Sequence, residues 1–294
     1  MFVLLGGNGY VGSAFQEYLK RSEQPFTVVS RRDVNYADRD ALIEFLRGAN
    51  ASFLINAAGF TGRPNVDACE VHKTECLAGN AVLPGVIRDA CEHLNLPWGH
   101  VSSGCIYTGQ KPDGSGFTEE DAPNFSFRQN NCSFYSGSKA LGEEVLEGAT
   151  DCYVWRLRIP FDSFDSPRNY ITKMMSYDRL LNATNSLSHL GEFAAACVTC
   201  WTSHVDYGIY NLTNPGSVTT RDVVDMIIRH QLSHRKFSFF ETEEEFMKLA
   251  AKTPRSNCVL DSSKAIAAGL PLSPVEEALE QAMKNWTHQH AAAG

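Results

Sequence analysis

The stretch Phe2-Val3-Leu4-Leu5-Gly6-Gly7-Asn8-Gly9-Tyr10-Val11-Gly12 decides the fold. Four apolar residues read as a buried strand, and the glycines after them open a helical pattern through Phe15 and Leu19. Gly6, Gly9 and Gly12 fit G-x-x-G-x-x-G, while Gly7, Gly9 and Gly12 fit G-x-G-x-x-G. A lone glycine pattern is weak; a strand before it and a helix after it give it meaning. In that context the glycines permit a tight turn and close backbone approach. The helix N-terminus, at Tyr10 and Val11, then faces the pyrophosphate of a dinucleotide.

Outward from that stretch, strands and helices alternate. Phe26–Val29, Ser52–Asn56, Trp98–Ser102 and Cys152–Leu157 read as strands. Arg39–Leu46, Asp67–Leu94 (bent at Pro84) and Phe134–Leu146 read as helices. This alternation predicts an α/β fold with a Rossmann-type doubly wound parallel sheet over residues 1–160. After Pro160 the pattern loosens, with helices predicted near 169–180, 191–201, 220–231, 243–252 and 274–286. Residues 161–294 therefore read as a smaller, mainly substrate-binding part, with segments near 185–213 returning to the sheet.

Composition narrows the class. The 294 residues carry a net charge of −8, which argues against a nucleic-acid partner or an anionic membrane surface. No apolar run approaches the roughly 20 residues of a membrane span, and Met1–Gly6 lacks the marks of a signal peptide. Nine scattered cysteines without an export signal suggest reduced thiols and a cytoplasmic protein. Cys197-x-x-Cys200 is the one close pair; without histidines or a second pair it does not make a metal site.

Three further segments carry chemistry. Val29-Ser30-Arg31-Arg32 ends the second strand with a hydroxyl and two arginines. An acid there would suit the ribose of NAD; these residues suit the 2′-phosphate of NADP. Asn56-Ala57-Ala58 closes the third strand with small residues that leave room for a dinucleotide. Ser103 ends the fourth strand, and Tyr135-x-x-x-Lys139 puts a phenol and an ammonium one helical turn apart. A hydroxyl, a phenol and a lysine make a ketone/alcohol redox site, with Lys139 also holding a cofactor ribose. Cys105, two residues beyond Ser103, suggests proton exchange at carbon, but on spacing alone it reads equally as a small buried apolar residue.

These residues resemble the extended short-chain dehydrogenases/reductases over essentially the full length. Within them the chain is most similar to the nucleotide-rhamnose synthase/epimerase-reductase group. Asn56–Asp67, Gly104-Cys105-Ile106, Pro167–Lys173, Asn211–Gly216 and Pro254–Asn257 carry the likeness. The resemblance implies that Cys105 and Lys173 are an acid/base pair for epimerisation. It implies Ser103, Tyr135 and Lys139 as the reduction set, NADPH as cofactor, and a nucleotide-diphosphate ketosugar, with UDP favoured, as substrate. Arg63, Asn65, Arg168, Asn169, Arg255 and Asn257 are the candidate substrate contacts. It further implies a homodimer through the helices at 74–94 and at Tyr135. In the plant fusion a dehydratase domain precedes this module; this chain has none, so another protein would supply the 4-keto sugar. The segment Ser126–Cys132 is longer than the resemblance leads one to expect. A reductase without epimerase activity is the alternative, and a non-catalytic NADP-binding regulatory subunit a more distant one.

Overall fold

A computed structural model describes residues 1–63 and 65–287. Its first part runs β1 (Phe2–Leu5), α1 (Tyr10–Arg21), β2 (Phe26–Val29), α2 (Arg39–Gly48), β3 (Phe53–Asn56), α3 (Lys73–Leu77), α4 (Leu83–Leu94), β4 (Trp98–Ser103), α5 (Phe134–Val145) and β5 (Cys152–Leu157). It continues with β6 (Pro160–Phe161), α6 (Tyr170–Ser176), β7 (Thr184–Asn185), β8 (Ser188–His189), α7 (Leu190–Thr202) and β9 (Gly208–Asn211). The remainder is β10 (Val218–Thr219), α8 (Thr220–Arg229), α9 (Glu243–Leu249), α10 (Ser263–Ala267) and α11 (Val275–Lys284).

Six strands form one parallel sheet in the order β2-β1-β3-β4-β5-β9. From β1 the chain first goes to β2 on one side and then to β3 on the other. That reversal leaves a crevice at the strand C-termini, where ligands of such sheets bind. Side chains alternate between two cores. Phe2, Leu4, Phe53 and Trp155 pack with α1 and α7 through Phe15 and Phe193, whereas Val3, Leu5, Leu54 and Trp98 pack with α2 and α4 through Leu46 and Ile87. Each such fully buried side chain contributes roughly 1.5–3 kcal/mol. A third core joins α6, α8 and α11 through Ile171, Val223 and Leu279. Ala265 of α10 and Leu270 bring the C-terminal segment back against the sheet.

The helix expected over Asp67–Leu94 begins at Lys73 and is not uniform, though its backbone stays helical to Leu94. A 3₁₀ turn spans Val66–Glu70, α3 follows, and a π-helical segment, Ala78–Val82, precedes α4. Pro84 follows directly on the widened π-helical turn, which accommodates its missing N–H within the continuing helix. The π segment presents Asn80, whose Oδ1 accepts from the Phe60 N–H at 2.9 Å. Its Nδ2 donates to the Phe60 carbonyl at 2.8 Å and to the Ser138 hydroxyl at 3.0 Å. One side chain thus fixes the loop after β3 to α5. Ser126–Cys132 packs along α5, its Phe127 ring over Gly137 and its Arg128 forked onto Glu144. The short strands β6, β7, β8 and β10 and the helix α10 were not legible as elements.

Candidate active site

The crevice begins at the glycine loop. Gly6 has φ +75°, and a Cβ there would meet the Ala58 amide at 2.5 Å; a Cβ on Gly12 would meet the Gly6 carbonyl at 2.2 Å. Gly9 starts α1 with no side-chain cap, leaving the first-turn amides open to an anion. The Tyr10 hydroxyl is buried without a hydrogen-bond partner, and burial together with Asp162 pushes its phenol well up. Glycines that only bare backbone satisfies, an uncapped helix start and an orphaned buried hydroxyl fit a dinucleotide. Asn56 closes the floor: its Oδ1 accepts from the Ala58 N–H at 3.1 Å and its Nδ2 meets His100 Nδ1 at 2.9 Å. Burial holds His100 well below the usual imidazole range, so its Nδ1 accepts.

At the end of β2 the structure adds an acid that sequence reasoning missed. Asp33 accepts from the Ser30 N–H at 2.9 Å and from the Ser30 hydroxyl at 2.7 Å. Ser30 is thereby committed to its own turn, and the exposed Arg31 and Arg32 are left to meet a phosphate. The hydroxyl and N–H of Ser30 also hold the Asp33 carboxyl below its usual range.

The reaction pocket lies where β4 and α5 meet. Ser103 ends β4 and its Oγ accepts from the Cys105 N–H at 3.2 Å, shaping a 3₁₀ turn over Gly104–Ile106. Ser133 caps α5, which carries Tyr135 and Lys139. Lys139 is buried and donates to the Val101 carbonyl at 3.0 Å. Burial lowers its ammonium to about 8, and Glu143 one turn on opposes that shift. Glu143 is itself buried against Arg156 at 2.8 Å and accepts from the Ser102 hydroxyl at 2.5 Å. Burial raises the Tyr135 phenol, Cys105 raises it further, and Ser103 pulls it back down. Lys173, on α6, is lowered by burial and by Arg168 and raised by Cys105. Ser103, Cys105, Tyr135, Lys139 and Lys173 therefore share one electrostatic neighbourhood. Sequence reasoning missed Arg158, which is 2% exposed and donates from Nη1 to the Cys105 sulfur at 3.0 Å.

The six candidate substrate contacts divide. Arg63 is exposed. Asn65 accepts from the Asp67 N–H at 2.9 Å, which starts the 3₁₀ turn. Arg168 donates to the Gly62 carbonyl at 2.7 Å and ties α6 to that loop. Arg255 is forked onto Asp67 at 2.6 and 2.8 Å, so a diphosphate would have to share or displace that carboxylate. Asn257 lines a cavity of about 590 Å³ with Thr108, Asn182, Arg221 and Phe240. Asn169 is fully buried, caps α6 through the Ile171 N–H at 3.0 Å, and donates to the Asp162 and Phe164 carbonyls at 2.8 and 2.7 Å. Its side-chain polar atoms are engaged within the fold, as a helix cap and a tie to the preceding loop. Cys197 and Cys200 are buried in α7 against the sheet. Among the described residues no cluster of His, Cys, Asp and Glu has metal-site geometry, and no helix is long and apolar enough to cross a membrane.

The sequence matches the RmlD substrate binding domain family over residues 1–288. A bifunctional dTDP-4-dehydrorhamnose 3,5-epimerase/dTDP-4-dehydrorhamnose reductase of Arabidopsis thaliana is 33% identical, over 95% of this chain and 90% of its own length. A trifunctional UDP-glucose 4,6-dehydratase/UDP-4-keto-6-deoxy-D-glucose 3,5-epimerase/UDP-4-keto-L-rhamnose-reductase of the same plant is 35% identical over 90% of this chain. The chain spans only 39% of that relative's length. In fold, the UDP-rhamnose synthase of Acanthamoeba polyphaga mimivirus superposes with a TM-score of 0.87 at 23% identity, covering 97% of this chain and 98% of that one. The dTDP-4-dehydrorhamnose reductase of Bacillus anthracis, solved with NADP, gives 0.79 at 17% identity, covering 95% and 97%. With the family matched across nearly its whole length, this chain belongs to the RmlD substrate binding domain family, the dTDP-4-dehydrorhamnose reductase-like group.

Proposed function

We propose that the protein is a bifunctional 3,5-epimerase/4-reductase. It converts a nucleotide 4-keto-6-deoxyglucose, with UDP as the favoured nucleotide, to nucleotide-L-rhamnose with NADPH. What supports this reading is the setting of Cys105, whose N–H reaches Ser103 Oγ at 3.2 Å and whose sulfur acts electrostatically on Tyr135, Lys139 and Lys173. Reduction needs only Ser103, Tyr135 and Lys139; Cys105 and Lys173 have work to do if protons are exchanged at carbon.

The glycine loop and the α1 N-terminus would hold the pyrophosphate, Arg31 and Arg32 the 2′-phosphate, and Lys139 the nicotinamide ribose. NADPH supplies a hydride for C4 of the sugar. Tyr135 donates the proton to O4, and Lys139 stabilises the phenolate left behind. Before that, protons at C3 and C5 are acidic because each flanks the ketone. Cys105 and Lys173 exchange them, one removing and the other delivering on the opposite face. Ser103 and Tyr135 donate hydrogen bonds to the enolate oxygen formed at O4. Burial of Lys173 brings its ammonium down from the ordinary lysine range, which suits a proton shuttle.

The part after residue 160 would bind the sugar nucleotide. A homodimer through α4 and α5 is proposed, with light scattering as its check: a monomer at micromolar concentration counts against it. Nine free cysteines accord with a reducing, cytoplasmic setting. The functional test is NADPH oxidation with UDP- and dTDP-4-keto-6-deoxyglucose. Turnover with the UDP sugar, yielding a rhamnose-configured product, supports the proposal. No oxidation with either sugar overturns it.

A further inference from the structure

Arg158 lies just past β5, and its side chain is 2% exposed. A buried guanidinium is costly unless its charge and donors are met. Its neighbour Arg156 has Glu143; among the described residues, no carboxylate pairs with Arg158. Its Nη2 donates to Asn185 Oδ1 at 2.5 Å and to the Ser256 carbonyl, and its Nε has no partner. Nη1 is aimed at the Cys105 sulfur at 3.0 Å. All of its partners are neutral groups, and two thiols lie beside it. Cys258 is fully buried, donates to the Gly104 carbonyl at 3.3 Å, and is pushed up by burial, so it stays a thiol. Cys105 is partly exposed.

We propose that Arg158 is the positioning residue that makes Cys105 the proton-removing member of the epimerisation pair. Its guanidinium fixes the sulfur by a hydrogen bond and supplies the counter-charge for a thiolate. This rests on the epimerase reading above. The other groups facing Cys105 are Tyr135 and Lys139 on α5, Lys173 on α6 and Cys258 from the returning C-terminal segment. The step balances within that set. The C–H bond beside the ketone breaks, and its proton goes to the Cys105 sulfur. Its electron pair moves into the enolate held by Ser103 and Tyr135. The Lys173 ammonium then gives a proton to the same carbon from the opposite face. The thiol and the amine regain their starting forms by exchange with water.

Alkylation by iodoacetamide tests the pairing without needing turnover. Only Cys105 and Cys132 are not buried, so a Cys132→Ser background and peptide mass spectrometry isolate the Cys105 rate. At pH 7, Arg158→Met should slow alkylation by about tenfold, the Coulomb effect of one charge at this distance even in a water-like dielectric. The deficit should close at alkaline pH, where a thiol ionises unaided, and Arg158→Lys should fall between. NADPH binding and thermal melting verify that each variant folds; if Arg158→Met does not fold, Arg158→Lys carries the comparison. Deuterium uptake at C3 and C5 of the substrate should fall in parallel with the alkylation rate. Equal alkylation rates in wild type and variants at pH 7, or a deficit unchanged at pH 10, overturn the pairing while leaving the epimerase reading intact. If wild-type enzyme takes up no deuterium, the epimerase reading fails, and with it the catalytic use of the pair.

Discussion

The groups proposed for reduction and for proton exchange share one pocket but are assembled differently. Ser103, Tyr135 and Lys139 belong to a single β–α unit, β4 and α5, and their support is packed beneath them. Lys139 is tied to the Val101 carbonyl, and Glu143 is locked between Arg156 and Ser102. Cys105, Arg158 and Lys173 come from three separate segments: a 3₁₀ turn, the end of β5 and α6. One group is positioned by local helix spacing, the other by tertiary contacts. The first should resist changes elsewhere in the molecule; the second should depend on how the C-terminal part seats against the sheet.

Removing the phenol should produce the largest split between the two. Tyr135→Phe should lose about 1,000-fold in NADPH oxidation, within the range of a lost general acid. Deuterium uptake at C3 and C5 should persist and fall much less, since Ser103 still donates to the enolate oxygen and Cys105 and Lys173 remain. Loss of both together would mean that the phenol, and not Cys105 and Lys173, governs proton exchange.

The buried support of the reduction group gives the next effect. Glu143→Gln leaves Arg156 without its counter-charge in the interior, which should cost about 3 kcal/mol in urea unfolding. Because Glu143 raises the Lys139 ammonium, the variant should also lose NADPH oxidation at lower pH. In wild type the loss should set in as pH rises through about 8, where Lys139 gives up its proton. A high-pH limb that does not move would detach Glu143 from Lys139.

Cys105→Ala works on the other group. Exchange at one or both carbons should fall by about 100-fold. Any NADPH oxidation retained should yield sugar that is unepimerised or half-epimerised. The same product at an unchanged rate would return the thiol to the core and favour a reductase alone.

The smallest effect belongs to the cofactor end. Arg31→Ala and Arg32→Ala should each narrow the NADPH-over-NADH preference in kcat/KM by about tenfold, at the low end of a charge-assisted phosphate contact. Ser30→Ala should change it little, since its hydroxyl is already given to Asp33. Equal use of both cofactors by the wild type would contradict the assignment.

The contrast between the two groups also explains what the sequence could tell. The glycine loop, the parallel strands and Tyr135-x-x-x-Lys139 follow from local periodicity, and all appear where spacing puts them. The register of Cys105 with Lys173 came only from family likeness. Arg158 was invisible because its contact with Cys105 joins residues 53 apart in sequence. One sign was present: Arg156 sits in a buried strand of otherwise uncharged residues and Arg158 just past its end, and such charges require buried partners. The π-helical turn at Ala78–Val82 was hidden for a similar reason. Helical periodicity continues through it, while the demand of the Phe60 backbone for Asn80 is tertiary. The capping role of Asn169 was likewise not legible, because its partners, the Asp162 and Phe164 carbonyls, are set by the fold of the preceding loop.

The most direct test of the central claim is the reaction of the wild-type protein with UDP-4-keto-6-deoxyglucose and NADPH in deuterated water, with the product read by proton NMR. The account predicts UDP-L-rhamnose carrying solvent deuterium at both C3 and C5. A reduced sugar with protons retained at both carbons and the D-configuration at C5 would contradict it.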